Sequence, residues 1–470
     1  MKIKNICCIG AGFVGGPTMA VIALKCPYLK VTVVDINEEK ISAWNGELSK
    51  LPVFEPGLPE IISEVRNVNL FFSTDVNKAI EDSEMIFMAV NTPTKTSGTG
   101  KGYAADLQFV EKCAEQIANV SKSNKIIVEK STLPVRTAER IKEILESNKK
   151  SDIQFEVISN PEFLAEGTAI NDLFKSDRVL IGGEKTQKGE EAVNELVGIY
   201  ENWIPIEKIY TTNVWSSELS KLVSNAMLAQ RISSINSISA LCEKTGADID
   251  EVSKAVGLDS RIGPKFLRAS IGFGGSCFKK DILNLVYIAN FYGLKEVADY
   301  WESVVKINNY QTDRFFKNII NSFDLNVTSK VITILGWSFK KDTNDSRESA
   351  SIYLTEKLIS KGFTIKVYDP MVNGNRIKED IERLLIDKGK LEEQTAHVLT
   401  RLKICDELYE SVVDSNAIAI CTEWDEFKNI NWNEVKTKMD ENFLVFDGRN
   451  VINKENLNSL GFKSYVIGQS

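Results

Sequence analysis

Apolar and polar residues alternate along the chain in blocks that predict an α/β protein. Short apolar runs recur in the first part of the chain and again near its end, and stretches with helical spacing follow them. This order is typical of βαβ units with a parallel sheet. The predicted strands are Ile6–Gly10, Val31–Asp35, Met85–Val90, Ile126–Glu129, Glu156–Asn160, Val331–Leu335, Ile365–Asp369, Ala417–Cys421 and Phe443–Asp447.

The middle of the chain has a different pattern, with apolar residues at helical spacing and no strand signal. We therefore predict two Rossmann-like parallel-sheet domains, residues 1–212 and 326–470, joined by a central helical domain, residues 213–325. The stretch Asn373–Glu393 is the most polar of the chain, and we expect it to be a surface excursion.

Composition limits the class of function. The net charge of −8 argues against a protein that binds the nucleic-acid backbone, but it leaves room for small anionic ligands. No apolar run is long enough to cross a bilayer, and Met1–Lys4 leads directly into a strand without a signal peptide. We expect a cytoplasmic protein that binds neither nucleic acid nor membrane.

Cysteine and histidine usage narrows the chemistry. The eight cysteines form no C-x-x-C pair, which suits reduced cytosolic thiols better than a disulfide framework or a zinc site. His397 is the only histidine, so histidine general-base catalysis and histidine-rich metal sites are nearly excluded. We expect no metal.

A glycine fingerprint lies directly after the first predicted strand. Gly10–Gly15 has the G-x-G-x-x-G pattern, in which glycines form a tight turn and let the backbone approach a pyrophosphate at a helix N-terminus. Asp35 lies twenty residues after Gly15, where an acid can bind the ribose hydroxyls. This pattern predicts a dinucleotide site that favours NAD over NADP, a preference that Lys40 could soften.

A second glycine-rich segment, Gly272–Asp281, contains Cys277 and precedes an apolar helical stretch. Cys277 is therefore expected near a helix N-terminus, where the helix dipole favours a thiolate. Asp281 lies one turn later, where it could hold a water or receive a proton. The alternative is a buried, inert cysteine, which is the usual state of a free cysteine.

At this point the sequence resembles the UDP-glucose 6-dehydrogenase family, particularly its animal members, over essentially the whole chain. The motifs that carry the resemblance are Gly10–Gly15, Val90–Thr94, Ser131-Thr132, Asn160–Gly167, Ser217–Ala226, Gly272–Asp281, Phe339–Thr343 and Phe446–Arg449. The resemblance implies oxidation of the C6 alcohol of UDP-glucose to UDP-glucuronate with two NAD and one water. It also implies a thiohemiacetal and a thioester on Cys277.

The resemblance assigns roles to further residues. It implies that Lys221 stabilises the developing oxyanion, that Asn225 holds the sugar and that Glu162 is the general base for thioester hydrolysis. Thr132 and Asp281 would position a water. From the residues alone, Lys221 could instead be an ordinary solvated lysine and Glu162 a plain loop acid.

The implied binding residues form two sets. Those for NAD are Gly10, Ala11, Gly12, Phe13, Val14, Gly15, Asp35, Lys40, Val90, Asn91, Thr92, Pro93, Thr94, Ser131, Thr132, Leu133, Glu166 and Arg347. Those for UDP-glucose are Glu162, Phe163, Leu164, Ala165, Glu166, Lys221, Asn225, Arg261, Arg268, Ala269, Ser270, Ile271, Gly272, Phe273, Gly274, Phe339, Lys340 and Arg449.

The family resemblance also implies a homo-oligomer, a hexamer rather than a dimer, in which Arg261 reaches the neighbouring subunit's substrate site. Lys40 and Arg268 depart from the usual arginine and lysine of animal members, so the contacts at these positions do not transfer automatically. Two alternatives remain: a dehydrogenase of another nucleotide sugar, and a catalytically silent homologue that only binds one. The presence of Cys277, Lys221 and Glu162 argues against the second.

Overall fold

The structure is a computed structural model that describes residues 2–150, 152–323, 330–440 and 442–469. The chain divides into two compact units. The first comprises Met1–Ser224 and Leu283–Gly293, and the second comprises Asn225–Ile282 and Leu294–Ser470. Each unit contains one extended β-sheet, and a mainly helical stretch lies between the two sheets in chain order. This confirms the predicted fold class.

The sheet of the first unit has eight strands in the order β3-β2-β1-β4-β5-β6-β7-β8. The strands are β1 Asn5–Ile9, β2 Lys30–Val34, β3 Leu70–Ser73, β4 Met85–Met88, β5 Lys125–Glu129, β6 Phe155–Ser159, β7 Val179–Gly183 and β8 Ile209–Asn213. Strands β4 and β5 are buried at every position, which explains the apolar sequence of β4 and the apolar centre of β5, Ile126–Val128.

One strand pair departs from the parallel pattern predicted from the sequence. β6 pairs with β7 in antiparallel orientation through Ser159 and Gly182, whereas the other pairs of this sheet are parallel. Strands β3, β7 and β8 were absent from the sequence prediction. The edge strands β3 and β8 are only partly buried, so they lack the continuous apolar run that marks a central strand.

Helices cover both faces of this sheet, and each face has its own apolar core. The helices are α1 Gly15–Lys25, α2 Glu38–Asn45, α3 Leu58–Val65, α4 Val76–Asp82, α5 Gln108–Val120, α6 Thr137–Asn148, α7 Ala169–Phe174 and α8 Gln187–Tyr200. Helix α1 begins at the last glycine of the fingerprint, so its free N–H groups lie at the C-terminal edge of β1.

The sheet of the second unit has six strands in the order β11-β10-β9-β12-β13-β14, and all its pairs are parallel. The strands are β9 Val331–Leu335, β10 Thr364–Tyr368, β11 Leu402–Ile404, β12 Ala417–Ile420, β13 Leu444–Asp447 and β14 Lys463–Val466. The four predicted strands of this region are present, displaced by at most one residue at each end.

The remaining helices are α9 Val214–Thr245, α10 Ile249–Gly257, α11 Phe278–Phe291, α12 Lys295–Ser322, α13 Ala350–Ser360, α14 Gly374–Asp387, α15 Glu392–Leu399, α16 Leu408–Ser411, α17 Asp425–Lys428, α18 Trp432–Lys438 and α19 Lys454–Ser459. The expectation for Asn373–Glu393 was wrong. Its main element, α14, buries Ile377, Ile381 and Leu385 along one face, and high overall polarity concealed this spacing of four residues.

Within the described residues, no helix combines the length and the apolar character needed to cross a membrane.

Candidate active site

The glycine turn of the first unit combines crowded and open positions. Gly10 has φ 113°, and a Cβ built on it would lie 2.3 Å from the Ala89 carbonyl oxygen. A Cβ on Gly15 would lie 2.0 Å from the Gly10 carbonyl oxygen. A Cβ on Gly12 would meet no atom within 4 Å. The turn itself therefore requires Gly10 and Gly15, whereas Gly12 leaves open space beside the backbone, as a bound pyrophosphate requires.

Asp35 follows β2 and lies beside this turn. Its carboxylate accepts hydrogen bonds from the backbone N–H groups of Ala11 and Asn37, both at 3.0 Å, and from the Lys40 ammonium at 2.8 Å. Burial raises the pKa of Asp35, but these hydrogen bonds outweigh burial and hold the pKa below its usual value. The turn and Asp35 together fit the pyrophosphate and ribose of NAD, and Phe13 and Val14 complete the turn before α1.

Two loops meet at the C-terminal edge of β4 and β5. The Ser131 hydroxyl donates to the Val90 carbonyl oxygen at 2.7 Å, and the Thr92 hydroxyl donates to the Thr132 carbonyl oxygen at 3.1 Å. The structure therefore places the predicted Val90–Thr94 and Ser131–Leu133 segments side by side. Ligands of open α/β sheets bind at this edge.

Glu162 lies in the loop after β6 with a partner that the sequence analysis missed. One carboxylate oxygen accepts the N–H groups of Phe163 at 2.9 Å and Leu164 at 3.3 Å. The other oxygen lies 2.8 Å from the Lys130 ammonium. Burial raises the pKa of Glu162, but the charge and hydrogen bond of Lys130, the N–H of Phe163 and the charge of Lys221 together outweigh burial and lower the pKa overall. A lysine directly after an apolar strand, between Glu129 and Ser131, was the available sequence signal.

Lys221 of α9 belongs to the same neighbourhood. Its side chain is buried, its ammonium lies 5.2 Å from the centroid of the Phe163 ring, and its charge contributes to the lowered pKa of Glu162. This placement contradicts the alternative that Lys221 is an ordinary solvated lysine.

The loop that carries Ala165 and Glu166 is fixed by an acid from a distant part of the chain. The buried carboxylate of Glu55 accepts the N–H groups of Gly167 at 2.8 Å and Ala169 at 3.0 Å, at the start of α7. Glu55 was not among the predicted site residues, because its partners lie more than a hundred residues later in the sequence.

In the second unit, Cys277 directly precedes α11, as predicted. Its carbonyl oxygen accepts the N–H of Asp281 at 2.9 Å, which begins the helical hydrogen bonding. Cys277 is exposed, whereas the other seven cysteines are buried or partly buried. Because Cys277 is exposed at the start of a helix, the structure contradicts the alternative of a buried, inert thiol.

The structure brings two further predicted catalytic residues together. The Asn225 side-chain amide donates to the Asp281 carboxylate at 2.6 Å, and both side chains are buried. The Lys280 ammonium lies 3.6 Å from the other Asp281 oxygen. Asp281 is therefore an oriented carboxylate one helical turn after the cysteine.

Close packing fixes the glycine-rich loop that precedes Cys277. A Cβ on Gly274 would lie 2.6 Å from the Glu348 carbonyl oxygen and 2.9 Å from Phe339 Cβ. The Asn308 side chain accepts the N–H of Phe273 at 2.8 Å and donates to its carbonyl oxygen at 3.0 Å. Residues Ala269, Ser270, Ile271 and Gly272 of the same loop are buried.

The predicted cationic residues have different surroundings. The Arg449 guanidinium donates to the carbonyl oxygens of Cys421 and Phe339, both at 2.7 Å, and Lys340 follows Phe339. The Arg268 guanidinium donates to the Asn450 carbonyl oxygen at 2.8 Å. The other two arginines pair with acids close in sequence: Arg347 with Asp345 at 2.7 Å, and the exposed Arg261 with Asp259 at 2.6 Å.

Comparison with known proteins identifies the family of the chain. Three family models match successive parts of the chain: the UDP-glucose/GDP-mannose dehydrogenase family NAD binding domain over residues 4–204, its central domain over residues 215–310 and its UDP binding domain over residues 333–454.

Individual relatives are similar over nearly their full length. A protein of Drosophila melanogaster named UDP-glucose 6-dehydrogenase is 53% identical over 99% of this chain and 96% of its own length. A Bos taurus protein with the same name is 53% identical over 100% and 94%. The solved structure of a UDP-glucose dehydrogenase from Pyrobaculum islandicum has a TM-score of 0.82 at 26% identity, covering 100% of this chain and 98% of its own. The chain belongs to the UDP-glucose/GDP-mannose dehydrogenase family and is an NAD-dependent dehydrogenase.

Proposed function

We propose that this enzyme oxidises the C6 alcohol of UDP-glucose to the carboxylate of UDP-glucuronate, with Cys277 as covalent nucleophile. The observation that carries this proposal is the exposed thiol of Cys277 at a helix start, on a glycine loop fixed by close packing. The 53% identity to proteins named UDP-glucose 6-dehydrogenase supports the choice of substrate. The net reaction consumes two NAD and one water and releases two NADH and three protons.

The residues around the glycine turn would hold the cofactor. NAD, when bound, accepts one hydride from C6 in each of the two oxidations. The N–H groups at the start of α1 face the pyrophosphate, and Asp35 binds the adenosine ribose. The segments Val90–Thr94 and Ser131–Leu133, with Glu166 and Arg347, orient the rest of the cofactor.

Cys277 links the two oxidations. The first oxidation gives an aldehyde. The Cys277 thiolate then forms a C–S bond to C6 while the C=O π bond opens, and the oxygen takes up a proton, which yields a thiohemiacetal. The second oxidation yields a thioester. Glu162 then takes a proton from a water, a C–O bond forms at C6, the C–S bond breaks, and the thiolate of Cys277 is regenerated.

The remaining polar residues stabilise charge and orient the sugar. The buried ammonium of Lys221 stabilises the oxyanion on C6. Asn225, held by Asp281, binds the sugar, and Asp281 and Thr132 position the water. Phe339, Lys340, Arg449 and the loop Arg268–Gly274 hold the UDP part, whose diphosphate suits these cations.

Turnover with NAD and a panel of nucleotide sugars tests the proposal. We expect two NADH per UDP-glucose, little free aldehyde, and a lower kcat/KM for other nucleotide sugars. Cys277→Ala should lower the rate of UDP-glucuronate formation by about three or more orders of magnitude. Cys405→Ala, at a partly buried cysteine, is the matched control and should leave the rate unchanged. Near-normal turnover in Cys277→Ala would refute the covalent mechanism.

We also propose that the enzyme is a cytoplasmic homohexamer. The central helices and their loops carry Met227, Leu241, Leu258 and Leu294, each more than half exposed, which supports burial between subunits. Arg261 would then reach the neighbouring subunit's substrate. Light scattering should give the mass of six chains, and Arg261→Ala should raise the KM for UDP-glucose. A fully active monomer would refute the assembly.

A further inference from the structure

Lys130 is an almost completely buried cation at the end of β5. Its side chain is 2% exposed, and its ammonium lies 2.8 Å from Glu162 Oε2, 3.0 Å from Asn160 Oδ1 and 3.2 Å from the Tyr200 hydroxyl oxygen. An ammonium group has three N–H bonds, so these three acceptors match its capacity. The group is therefore held in one place.

The surroundings of Glu162 leave its carboxylate little freedom. Backbone N–H groups of Phe163 and Leu164 hold one oxygen, and Lys130 holds the other. Among the described residues, the titratable groups that face it are Lys130 from the end of β5, Tyr200 from α8 and Lys221 from α9. The Tyr200 hydroxyl donates to Asn160 Oδ1 at 2.7 Å, so it does not compete for the Glu162 oxygens.

The ion pair with Lys130 favours the ionised form of Glu162. A buried carboxylate without a cation tends to take up a proton, because burial penalises the charged form. Burial does raise the pKa of Glu162, and the positive charge of Lys130 is the largest effect in the opposite direction. A general base must be unprotonated before it can accept a proton from water.

We propose that Lys130 is a positioning residue for the hydrolytic step, because its ammonium keeps the Glu162 carboxylate ionised and oriented toward the attacking water. This inference rests on the proposed function, in which Glu162 is the base for thioester hydrolysis. Lys130 itself touches no reacting atom, and the two oxidations do not depend on it.

The variant Lys130→Met removes the charge and keeps a flexible side chain of similar length. In this variant Glu162 becomes protonated near neutral pH, so hydrolysis slows while both oxidations proceed. Rapid mixing with NAD and UDP-glucose should give a burst of two NADH per site, followed by a steady state at least about 100-fold slower than wild type. Mass spectrometry of the intact protein should show the acyl adduct on Cys277.

Dependence on pH separates a positioning role from a merely structural one. Raising the pH from about 6 to about 9 should restore much of the steady-state rate of Lys130→Met, because Glu162 loses its proton again. Glu162→Gln should show the same burst without recovery. Lys130→Gln keeps a hydrogen-bond donor and should behave like Lys130→Met. It replaces the methionine variant in this experiment if that variant folds poorly.

Lys125→Met is the matched control. Lys125 begins the same strand and is also buried, but its ammonium donates to the carbonyl oxygens of Glu81 and Ser83. The Lys125→Met variant should be less stable than wild type, but it should show neither a burst of NADH nor a shifted pH profile of the steady-state rate. Wild-type-like turnover, or a stall that high pH does not relieve, in the Lys130 variants would overturn the inference. Wild-type enzyme that forms no UDP-glucuronate would instead refute the proposed function.

Discussion

The first strand in chain order of each unit's sheet leads into a similar turn. Gly10 follows β1 with φ 113°, and Gly336 follows β9 with φ 95°. The N–H of Gly10 donates to the carbonyl oxygen of Val34, and the N–H of Gly336 donates to that of Tyr368, both at 2.8 Å. An aspartate follows the second strand in each case, Asp35 in the first unit and Asp369 in the second.

The two turns differ in what fills them. In the first unit Ala11 and Gly12 follow the glycine, and the position beside Gly12 is open. In the second unit Trp337 and Ser338 stand in these two places, and both are fully buried. The Trp337 indole N–H donates to Asp380 at 3.0 Å, and the Ser338 hydroxyl donates to Asp369 at 3.3 Å. A buried serine side chain therefore lies where the first turn has an open glycine.

The two aspartates also differ in the number of protein groups that donate hydrogen bonds to them. Asp35 accepts two backbone N–H groups and Lys40. Asp369 accepts the N–H groups of Trp337, Ser338, Met371 and Val372 and the indole N–H of Trp424. An aspartate after the second strand therefore indicates a ribose-binding site only where the adjoining turn is open. Where the turn is filled, the same residue stabilises the fold.

The largest expected effect is at Asp369. Asp369→Asn puts an amide N–H against backbone N–H donors, so we expect a loss of about 3 kcal/mol or more in the free energy of unfolding. Asp35→Asn should cost about 1 kcal/mol or less, because Asp35 accepts fewer N–H groups than Asp369, yet it should weaken NAD binding. Denaturant unfolding of both variants measures the free energy of unfolding, and titration with NAD measures cofactor affinity. Equal losses of stability in the two variants would contradict the different roles given to Asp369 and Asp35.

Cofactor preference is the second expectation. Asp35 repels a 2′-phosphate, so kcat/KM for NAD should exceed that for NADP by about 100-fold. Asp35→Ser should lower the ratio of kcat/KM for NAD to kcat/KM for NADP. The variant removes the carboxylate that repels the 2′-phosphate, and it releases the Lys40 ammonium from its ion pair. Initial rates with each cofactor give the two kcat/KM values. Equal values in the wild type would contradict the role given to Asp35.

Gly12→Val tests the open position directly. Its side chain enters empty space, so the melting temperature should change little, while KM for NAD should rise at least about tenfold. Gly15→Ala is the contrast, because its Cβ would collide with the Gly10 carbonyl oxygen and lower stability. A stable Gly12→Val enzyme with unchanged KM would show that NAD does not use this turn.

The smallest effect concerns a pair of buried acids, Glu129 and Glu218. Glu129 is buried, and among the described residues its carboxyl group interacts with that of Glu218, so we expect the two acids to share a proton. Glu218 accepts the N–H groups of Arg136 at 2.7 Å and Ala138 at 2.8 Å. Burial raises the pKa of Glu218 to about 7 and that of Glu129 well above its ordinary value.

A raised acid pKa means that the folded protein binds the proton more tightly than the unfolded chain. Stability should therefore fall as the pH rises from the ordinary glutamate value of 4.5 toward about 7 and beyond. Glu129→Gln donates an N–H to Glu218 without titrating, so its melting temperature should depend less on pH. A wild-type melting temperature that rises over this range would contradict the shared proton.

Much of the fold followed from local sequence. The central strands are short runs of apolar residues because both faces of these sheets are covered, and such runs are recognisable without tertiary information. The position of Cys277 before α11 followed from glycines before an apolar helical stretch. Edge strands β3 and β8 and helix α14 were missed because half-buried elements carry many polar residues.

Local sequence was enough to predict the glycine turn, the acid after the second strand, the cysteine at a helix start and the alternation of strands and helices. These features depend on residues near one another in the chain. Three features could be seen only in the folded chain: Lys130 pairs with Glu162, Glu55 fixes the loop at Gly167, and β7 runs antiparallel to β6. These depend on residues distant in sequence, and no local pattern specifies which buried charge will meet which partner.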